Sequence, residues 1–141
     1  MAVLMMSLAG CGASQATSTP AAAQAPAATQ PPAARTIGGR ISYAGSVQPT
    51  HQIIIVAVRT GEQAPAYSTV IRQPGPYTIS NVTDSTYLLS AFMDLGDDMG
   101  APQPNEPSGA YDQNGDGKGD EVAMKDGKGL TGIDITIRDP K

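Results

Sequence analysis

The sequence predicts an all-β fold, a seven-stranded antiparallel β-sandwich with Greek-key connections. Gly (16) and Pro (12) are abundant, which favours short strands joined by tight turns. Seven short segments have the composition of strands, and no stretch has a sustained helical period. All seven lie in residues 36–141, which are long enough for one hydrophobic core.

The seven expected strands differ in how they bury their side chains. Residues 52–59 (QIIIVAVR) carry apolar side chains on both faces, so this strand is expected to be central. Residues 132–138 (GIDITIR) alternate isoleucine with polar residues, which is the pattern of a half-buried strand. A forced turn at residues 74–76 (PGP) separates the third strand from the fourth. The expected strands span residues 36–44, 52–59, 66–72, 77–80, 86–93, 122–124 and 132–138.

Three segments together resemble one known family. GRISYAG at residues 39–45, IIIVAV at residues 53–58 and GPYTISNVTDSTYLLSAF at residues 75–92 look like carboxypeptidase regulatory-like domains, which have prealbumin-like topology. The resemblance implies two strands joined by a plug loop, in which Val82 turns into the end of the sandwich. Because such modules serve as accessory, adhesive or scaffold units, it implies a fold and no particular activity. The residues expected to face the core around this loop are Tyr77, Ile79, Tyr87, Leu89 and Ala91.

The N-terminal residues 1–11 (MAVLMMSLAGC) form an apolar run that ends in Leu-Ala-Gly-Cys. This ending resembles a lipobox, the site at which bacterial lipoprotein signal peptides are cleaved. The resemblance implies that Cys11 is lipidated and that the protein is extracytoplasmic and anchored to the membrane. No Lys or Arg precedes the run, whereas a signal peptide normally begins with a charged segment. A hydrophobic N-terminal helix and a buried structural thiol are the alternatives.

Residues 12–35 consist almost entirely of Ala, Pro, Thr, Gln and Ser. They offer no large apolar side chain to bury, so ordering them would cost conformational entropy without compensation. We therefore expect a disordered linker between the anchor and the folded domain. At about 3.1 Å per residue in an extended polyproline conformation, the linker would reach roughly 70 Å at most.

The charge of the chain is negative overall and unevenly distributed. A net charge of −4 argues against nucleic-acid binding, which requires a basic patch. Eight of the 13 acidic residues lie between Asp94 and Glu121, where Lys118 is the only basic residue. We call residues 94–121 the acidic stretch. About 28 residues without secondary structure are uncommon in a compact domain unless they have a function.

Residues 112–120 (DQNGDGKGD), here called the Asp112–Asp120 loop, predict a calcium site. Calcium prefers six to eight oxygen ligands, and this spacing turns alternate side chains inward while a glycine permits a sharp turn. The motif resembles EF-hand and dockerin loops, although its twelfth position is Ala123 where a bidentate Glu is usual. The alternative is a solvated loop of good turn-forming residues. The expected ligands are Asp112, Asn114, Asp116, Lys118 (through its backbone carbonyl) and Asp120, with Asp94, Asp98, Glu106 and Glu121 as possible additional ligands.

These features predict a lipid-anchored module at the cell surface or in the periplasm, stabilised by Ca²⁺ and with a binding or structural role. They do not predict an enzyme, because His51 is the only histidine, Cys11 is assigned to lipid and no nucleophile motif is present. The expected partners are the membrane, through the anchor, and a protein. The alternative is a self-assembling subunit of a surface layer or extracellular filament. The doubly apolar strand at residues 53–58 supports it, since an open face would need cover.

Overall fold

The structure, a computed structural model, describes residues 35–48 and 50–141. Within these residues the fold is all-β, with eight strands and no helix. The expected signal segment and nearly all of the expected linker fall on residues 1–34, outside the described residues. The strands are β1 (Ile37–Ala44), β2 (Ile53–Arg59), β3 (Pro65–Ile71), β4 (Pro76–Ile79), β5 (Ser85–Met93), β6 (Ser108–Ala110), β7 (Glu121–Met124) and β8 (Ile135–Arg138).

The eight strands form one sheet that curls toward a barrel. Its order is β3-β2-β5-β6-β8-β1-β4, and β7 pairs with β5. The two halves of β1 pair with different strands. Its first half is antiparallel to β4, and its second half, Ile41–Ala44, is parallel to β8. β5 does the same, with β7 beside its first half and β6 beside its second. The terminal strands β3 and β4 also approach each other, so the sheet nearly closes around one core.

The prediction of seven strands, all antiparallel, is wrong in two respects. The structure has an eighth strand, β6, which lies inside the acidic stretch that was expected to have no secondary structure. Its three residues, Ser-Gly-Ala, are small and lack the β-branched or aromatic side chains that identify strands in a sequence. In addition, β1 and β8 pair in parallel. An alternating pattern specifies which face of a strand is buried, but it does not specify the direction of its neighbour.

The last strand begins at Ile135, three residues later than expected. The side chain of Asp134 explains the difference, because its Oδ1 accepts the Arg40 N–H at 2.8 Å, in place of a backbone carbonyl. Ile133 is nevertheless buried, and its N–H donates to the Gly38 carbonyl at 3.2 Å. The segment therefore follows the sheet edge without forming a regular ladder.

The side chains that were predicted from the sequence to face the core around the turn between β4 and β5 are buried. Val82 is fully buried, and its N–H donates to the Arg35 carbonyl at 2.8 Å, which fixes the turn between β4 and β5. β2 lies between β3 and β5, as expected of an interior strand. The other core residues predicted around the turn, all of which are buried, are Tyr77, Ile79, Tyr87, Leu89 and Ala91.

We predict that Gly109→Ala destabilises the fold, because a Cβ at this position would overlap the carbonyl oxygen of Thr136 on β8. Overpacking of this kind costs about 2 kcal/mol in the free energy of unfolding. Urea denaturation of the full chain measures it. Gly75→Ala is the matched control, since its Cβ would meet nothing nearer than the Gln73 carbonyl oxygen at 3.8 Å. Equal stability of the two variants would contradict the close approach of β6 to β8.

Candidate functional site

The acidic stretch has two parts, which β6 separates. The first part, residues 94–107, leaves the end of β5 and returns to it, because the Met93 N–H donates to the Pro107 carbonyl at 2.8 Å. The second part contains the Asp112–Asp120 loop and leads into β7. The two parts use their carboxylates differently, so they are described separately.

The carboxylate of Asp112 organises the first half of the Asp112–Asp120 loop. Its Oδ1 accepts the N–H groups of Gly115 at 2.6 Å and Asp116 at 3.2 Å. Its Oδ2 accepts the Gly117 N–H at 2.8 Å. Gly115 and Gly117 have φ values of 75° and 82°, in the left-handed region that favours glycine. The two glycines thus allow the backbone to wrap around one carboxylate.

Asp120 closes the second half of the same loop. Its Oδ2 accepts the N–H groups of Gln113 at 2.7 Å and Asn114 at 3.3 Å, and its Oδ1 accepts the Asn114 side-chain amide at 3.2 Å. Asp116 Oδ1 accepts the Lys118 N–H at 2.8 Å. Hydrogen bonds therefore bring the four predicted side-chain ligands into one turn. Their placement follows the D-x-N-x-D-G spacing from which the loop was predicted.

The oxygens of this loop face its own N–H groups more than they face a common point. Within residues 35–48 and 50–141, no group of three or more His, Cys, Asp or Glu side chains is arranged to hold a metal ion. Acceptor capacity remains, because a carboxylate has about four lone-pair sites. Asp112 and Asp120 each accept three hydrogen bonds and Asp116 accepts one. A cation would need the loop oxygens to turn toward one point.

A polar groove of about 370 Å³ adjoins the loop. Asp112 and Lys118 line it from the loop, and Asp134, Thr136 and Arg138 line it from the region of β8. The groove carries charges of both signs, so its electrostatics do not favour an anion or a cation uniformly. Its location places the Asp112–Asp120 loop beside β6 and β8, two neighbouring strands in the interior of the sheet order.

The possible additional ligands lie elsewhere in the hydrogen-bond network. Asp98 accepts the Gly100 N–H at 2.7 Å, and Glu121 Oε1 accepts the Thr60 hydroxyl at 3.1 Å. Asp94 and Glu106 are buried in the first part of the stretch. In the described part of the chain, none of the four shares a hydrogen bond with the Asp112–Asp120 loop. Their role as calcium ligands therefore stays a prediction.

Asp94 is a buried carboxylate, 1 % exposed, with specific donors. It accepts the Met99 N–H at 2.8 Å, the Gln52 side-chain amide at 2.9 Å and the Asp98 N–H at 3.3 Å. Burial raises the pKa of the Asp94 carboxyl, but the hydrogen bonds from these donors lower it by a larger amount. The pKa of Asp94 therefore lies below its ordinary value. Asp94 is therefore ionised at neutral pH and holds the backbone that follows it.

Glu106 holds the same segment from its other end. The residue is 5 % exposed, and its carboxylate accepts the N–H groups of Leu95 at 3.1 Å and Gln103 at 2.8 Å. Together, Asp94 and Glu106 fix residues 95–103, which we call the covering segment. Both carboxylates were predicted from the sequence as possible calcium ligands, whereas their role in holding the covering segment was not predicted. The available signal was the position of Asp94, directly after the apolar end of β5.

A comparison of the chain with known protein families, with curated proteins and with solved structures yields no match. Among the residues that the structure describes, no helix is both long and apolar enough to cross a membrane.

We predict that Asp94→Asn destabilises the protein by about 2 kcal/mol at neutral pH, because the part-buried N–H groups of Gln52, Asp98 and Met99 lose a charged acceptor. A carboxyl whose pKa is lowered by folding contributes stability only while it is ionised. The loss should therefore be constant above pH about 5 and should shrink below pH about 4. Urea denaturation of the parent and the variant across this pH range measures the difference.

Asp98→Asn is the control for this prediction, since it removes the same charge from an exposed position in the covering segment. We expect its effect on the unfolding free energy to stay within about 0.5 kcal/mol. Equal effects of the two variants at every pH would mean that Asp94 does not anchor the segment.

Proposed function

We propose that the chain is a lipid-anchored, extracytoplasmic module that calcium stabilises at the Asp112–Asp120 loop. Its role is binding or structural, at the cell surface or in the periplasm, and it is not catalytic. The observation that carries the calcium proposal is the concentration of three carboxylates and one amide within nine exposed or half-exposed residues. Hydrogen bonds already hold these side chains in one turn, and their carboxylates keep free acceptor sites.

The charge of the loop supports a cation. Asp112, Asp116 and Asp120 carry three negative charges, and Lys118 is the only basic residue among them. The two ion pairs recorded in the described residues lie elsewhere and join His51 to Asp97 and Arg59 to Glu62. A divalent cation would neutralise the loop, and calcium tolerates the irregular geometry of oxygen ligands better than magnesium does.

The affinity of the proposed site follows from its missing ligand. Ala123, at the twelfth position, belongs to β7 and pairs with Thr86 of β5. The backbone there is committed to the sheet, and alanine has no oxygen in its side chain. Without the bidentate Glu, we expect a dissociation constant on the order of 10⁻⁴ to 10⁻³ M, the range of extracellular calcium modules.

We further propose that the fold is a prealbumin-like Greek-key sandwich. The divided pairing of β1 supports it, since strands that switch between sheets form the corners of sandwiches. One layer would comprise β3, β2, β5 and β7, and the other β4, β1, β8 and β6. The buried Val82 at the end of the fold agrees with the plug loop that the family resemblance implies.

The lipid anchor rests on the sequence of residues 1–35 alone. A lipobox-like ending at Cys11 is followed by a linker long enough to lift the domain clear of lipid headgroups. A membrane partner and a protein partner both fit such an arrangement, because a domain tethered in this way would be accessible to both.

We predict that about 10 mM calcium stabilises the full chain by roughly 1.4 kcal/mol, since this is about ten times the weaker expected dissociation constant. The corresponding rise in melting temperature is several degrees. Differential scanning calorimetry of the full chain, with and without calcium, measures it. Asp116→Asn should clearly reduce the rise, because it removes one of the three negative charges of the loop, although its amide oxygen can still bind calcium. It should leave the calcium-free melting temperature unchanged, because the side-chain oxygen can still accept the Lys118 N–H.

Two controls separate a calcium site from a general salt effect. Asp126→Asn removes one charge at an exposed turn outside the loop and should keep the full rise. Magnesium at the same concentration should give a smaller rise, because it retains its hydration shell. An equal rise in Asp116→Asn, or no rise in the parent, would rule out calcium binding by this loop.

We predict that Cys11→Ser moves the protein from the membrane fraction of the bacterial host to the soluble fraction. The parent protein extracted from membranes should lack residues 1–10 and carry the added mass of lipid, which intact mass spectrometry measures. Ser7→Ala lies in the same segment, keeps the thiol and should remain in the membrane fraction. An unmodified Cys11 with Met1 retained would exclude the lipoprotein assignment.

A further inference from the structure

The sheet face opposite the core is apolar and free of charged side chains across β3, β2 and β5. β2 places Ile53, Ile55 and Ala57 in the core, so its alternate residues point the other way. Each outward-facing residue of β2 pairs with an outward-facing residue of β3 on one side and of β5 on the other. We call this surface the outer face. Its residues are Ile54, Val56 and Val58 of β2, Ser68 and Val70 of β3, and Leu88, Ser90 and Phe92 of β5.

The exposed large hydrophobic residues gather on this side of the molecule. In residues 35–48 and 50–141 there are three, of which Val70 and Leu88 are each 39 % exposed and Met99 is 65 % exposed. Val70 and Leu88 lie on the outer face. Met99 lies at its rim, where it lines the same cavity as Ile54 and Phe92. Apolar exposure concentrated on one side is typical of an interaction surface.

The outer face is a trough and not a flat sheet. The cavity over it has a volume of about 420 Å³. Residues 99–102 of the covering segment bound it at one end, and Gln63 and Pro65 bound it at the other. Ile54 and Phe92 are only 6 % and 4 % exposed, whereas Val56 and Val58 are half-buried. The chain thus covers one end of its own apolar face and leaves the middle accessible to another group.

Met99 lies at the rim of the trough, where its backbone has a defined conformation and its side chain is largely exposed. Its φ of 55° is in the left-handed region, which a long side chain rarely adopts. The hydrogen bond from its N–H to the buried Asp94 carboxylate maintains this geometry. A projecting methionine and an apolar trough therefore lie side by side on one surface, which makes that surface complementary to itself.

We propose that the outer face is an isologous interface between two copies of the chain, in which Met99 of each copy enters the trough of the other. A two-fold axis brings residue i against residue j and residue j against residue i, so one projection and one trough per chain suffice. The net charge of −4 and the exposed carboxylates of Asp97 and Asp98 beside Met99 oppose association of two copies, so the contact must come from the apolar trough and Met99.

The size of the face predicts a weak dimer. Strands of seven residues are about 23 Å long, and three strands are about 14 Å wide, which gives a footprint of roughly 300 Å². Stable interfaces bury about 800 Å² on each partner, so this face alone supplies less than half of that area. We therefore expect dimerisation between micromolar and millimolar concentrations. Dimerisation through this face requires neither calcium nor lipid.

Sedimentation equilibrium of the full chain over this concentration range tests the proposal. All samples carry Cys11→Ser, which prevents both lipidation and a disulfide between copies. Val56 lies at the centre of the face, between Ser68 and Ser90. Val56→Lys and Val56→Asp should each raise the dimer dissociation constant at least about tenfold, because the two-fold axis places like charges together. An equimolar mixture of the two should dimerise again, which a misfolded variant would not do.

Two further variants complete the test. Val70→Lys, at a more exposed position of the same face, should weaken the dimer if Val56→Lys proves unstable. Ser42→Lys adds the same charge at an exposed site on β1 and should leave dimerisation unchanged. A strict monomer at millimolar concentration would overturn the proposal. So would a dimer that survives both lysine substitutions on the face, since residues 1–34 or another surface would then hold it.

Discussion

The structure depends on β2 being apolar on both of its faces. One face forms the centre of the core, with Ile53 and Ile55 fully buried. The other face needs cover, because an exposed apolar sheet of this kind invites association. The chain supplies part of that cover with the covering segment, which two buried carboxylates hold in place. The first part of the acidic stretch therefore has a structural role, which is to cover part of the apolar outer side of β2.

The same acidic stretch shows how the surroundings of a carboxylate decide what it can do. Asp94 and Glu106 are buried, bind backbone N–H groups and stabilise a local conformation. Asp112 and Asp116 lie in an accessible loop, where they keep acceptor capacity and negative charge. The second environment suits an exchangeable cation better, since an ion can reach its carboxylates from solvent, whereas a buried carboxylate that hydrogen bonds already stabilise gains little from one. The stretch thus combines an anchor for the covering segment with a candidate calcium loop.

Most strands could be predicted from the sequence, because alternation and β-branched residues reflect burial directly. β6 could not, since its packing depends on the close approach of Gly109 to the backbone of β8 and not on side-chain character. The glycine turn of the Asp112–Asp120 loop could be predicted from local spacing, whereas the convergence of its oxygens on one cation stays a prediction. The position of Asp94 directly after β5 was a signal, but its full anchoring role could not be predicted, because its donor Gln52 meets it only after β2 and β5 have paired. The self-complementarity of the outer face could not be predicted from the sequence either, because Met99 and the trough meet only in the folded structure.

The most direct test of this account is amide hydrogen exchange of the full chain at neutral pH, read residue by residue. If Asp94 and Glu106 hold the covering segment, the amides of Leu95, Met99 and Gln103 should be clearly protected although they lie outside any strand. Exchange at the rate of an unstructured peptide at all three amides would contradict the account, because the segment could then neither cover β2 nor hold Met99 at the rim of the trough.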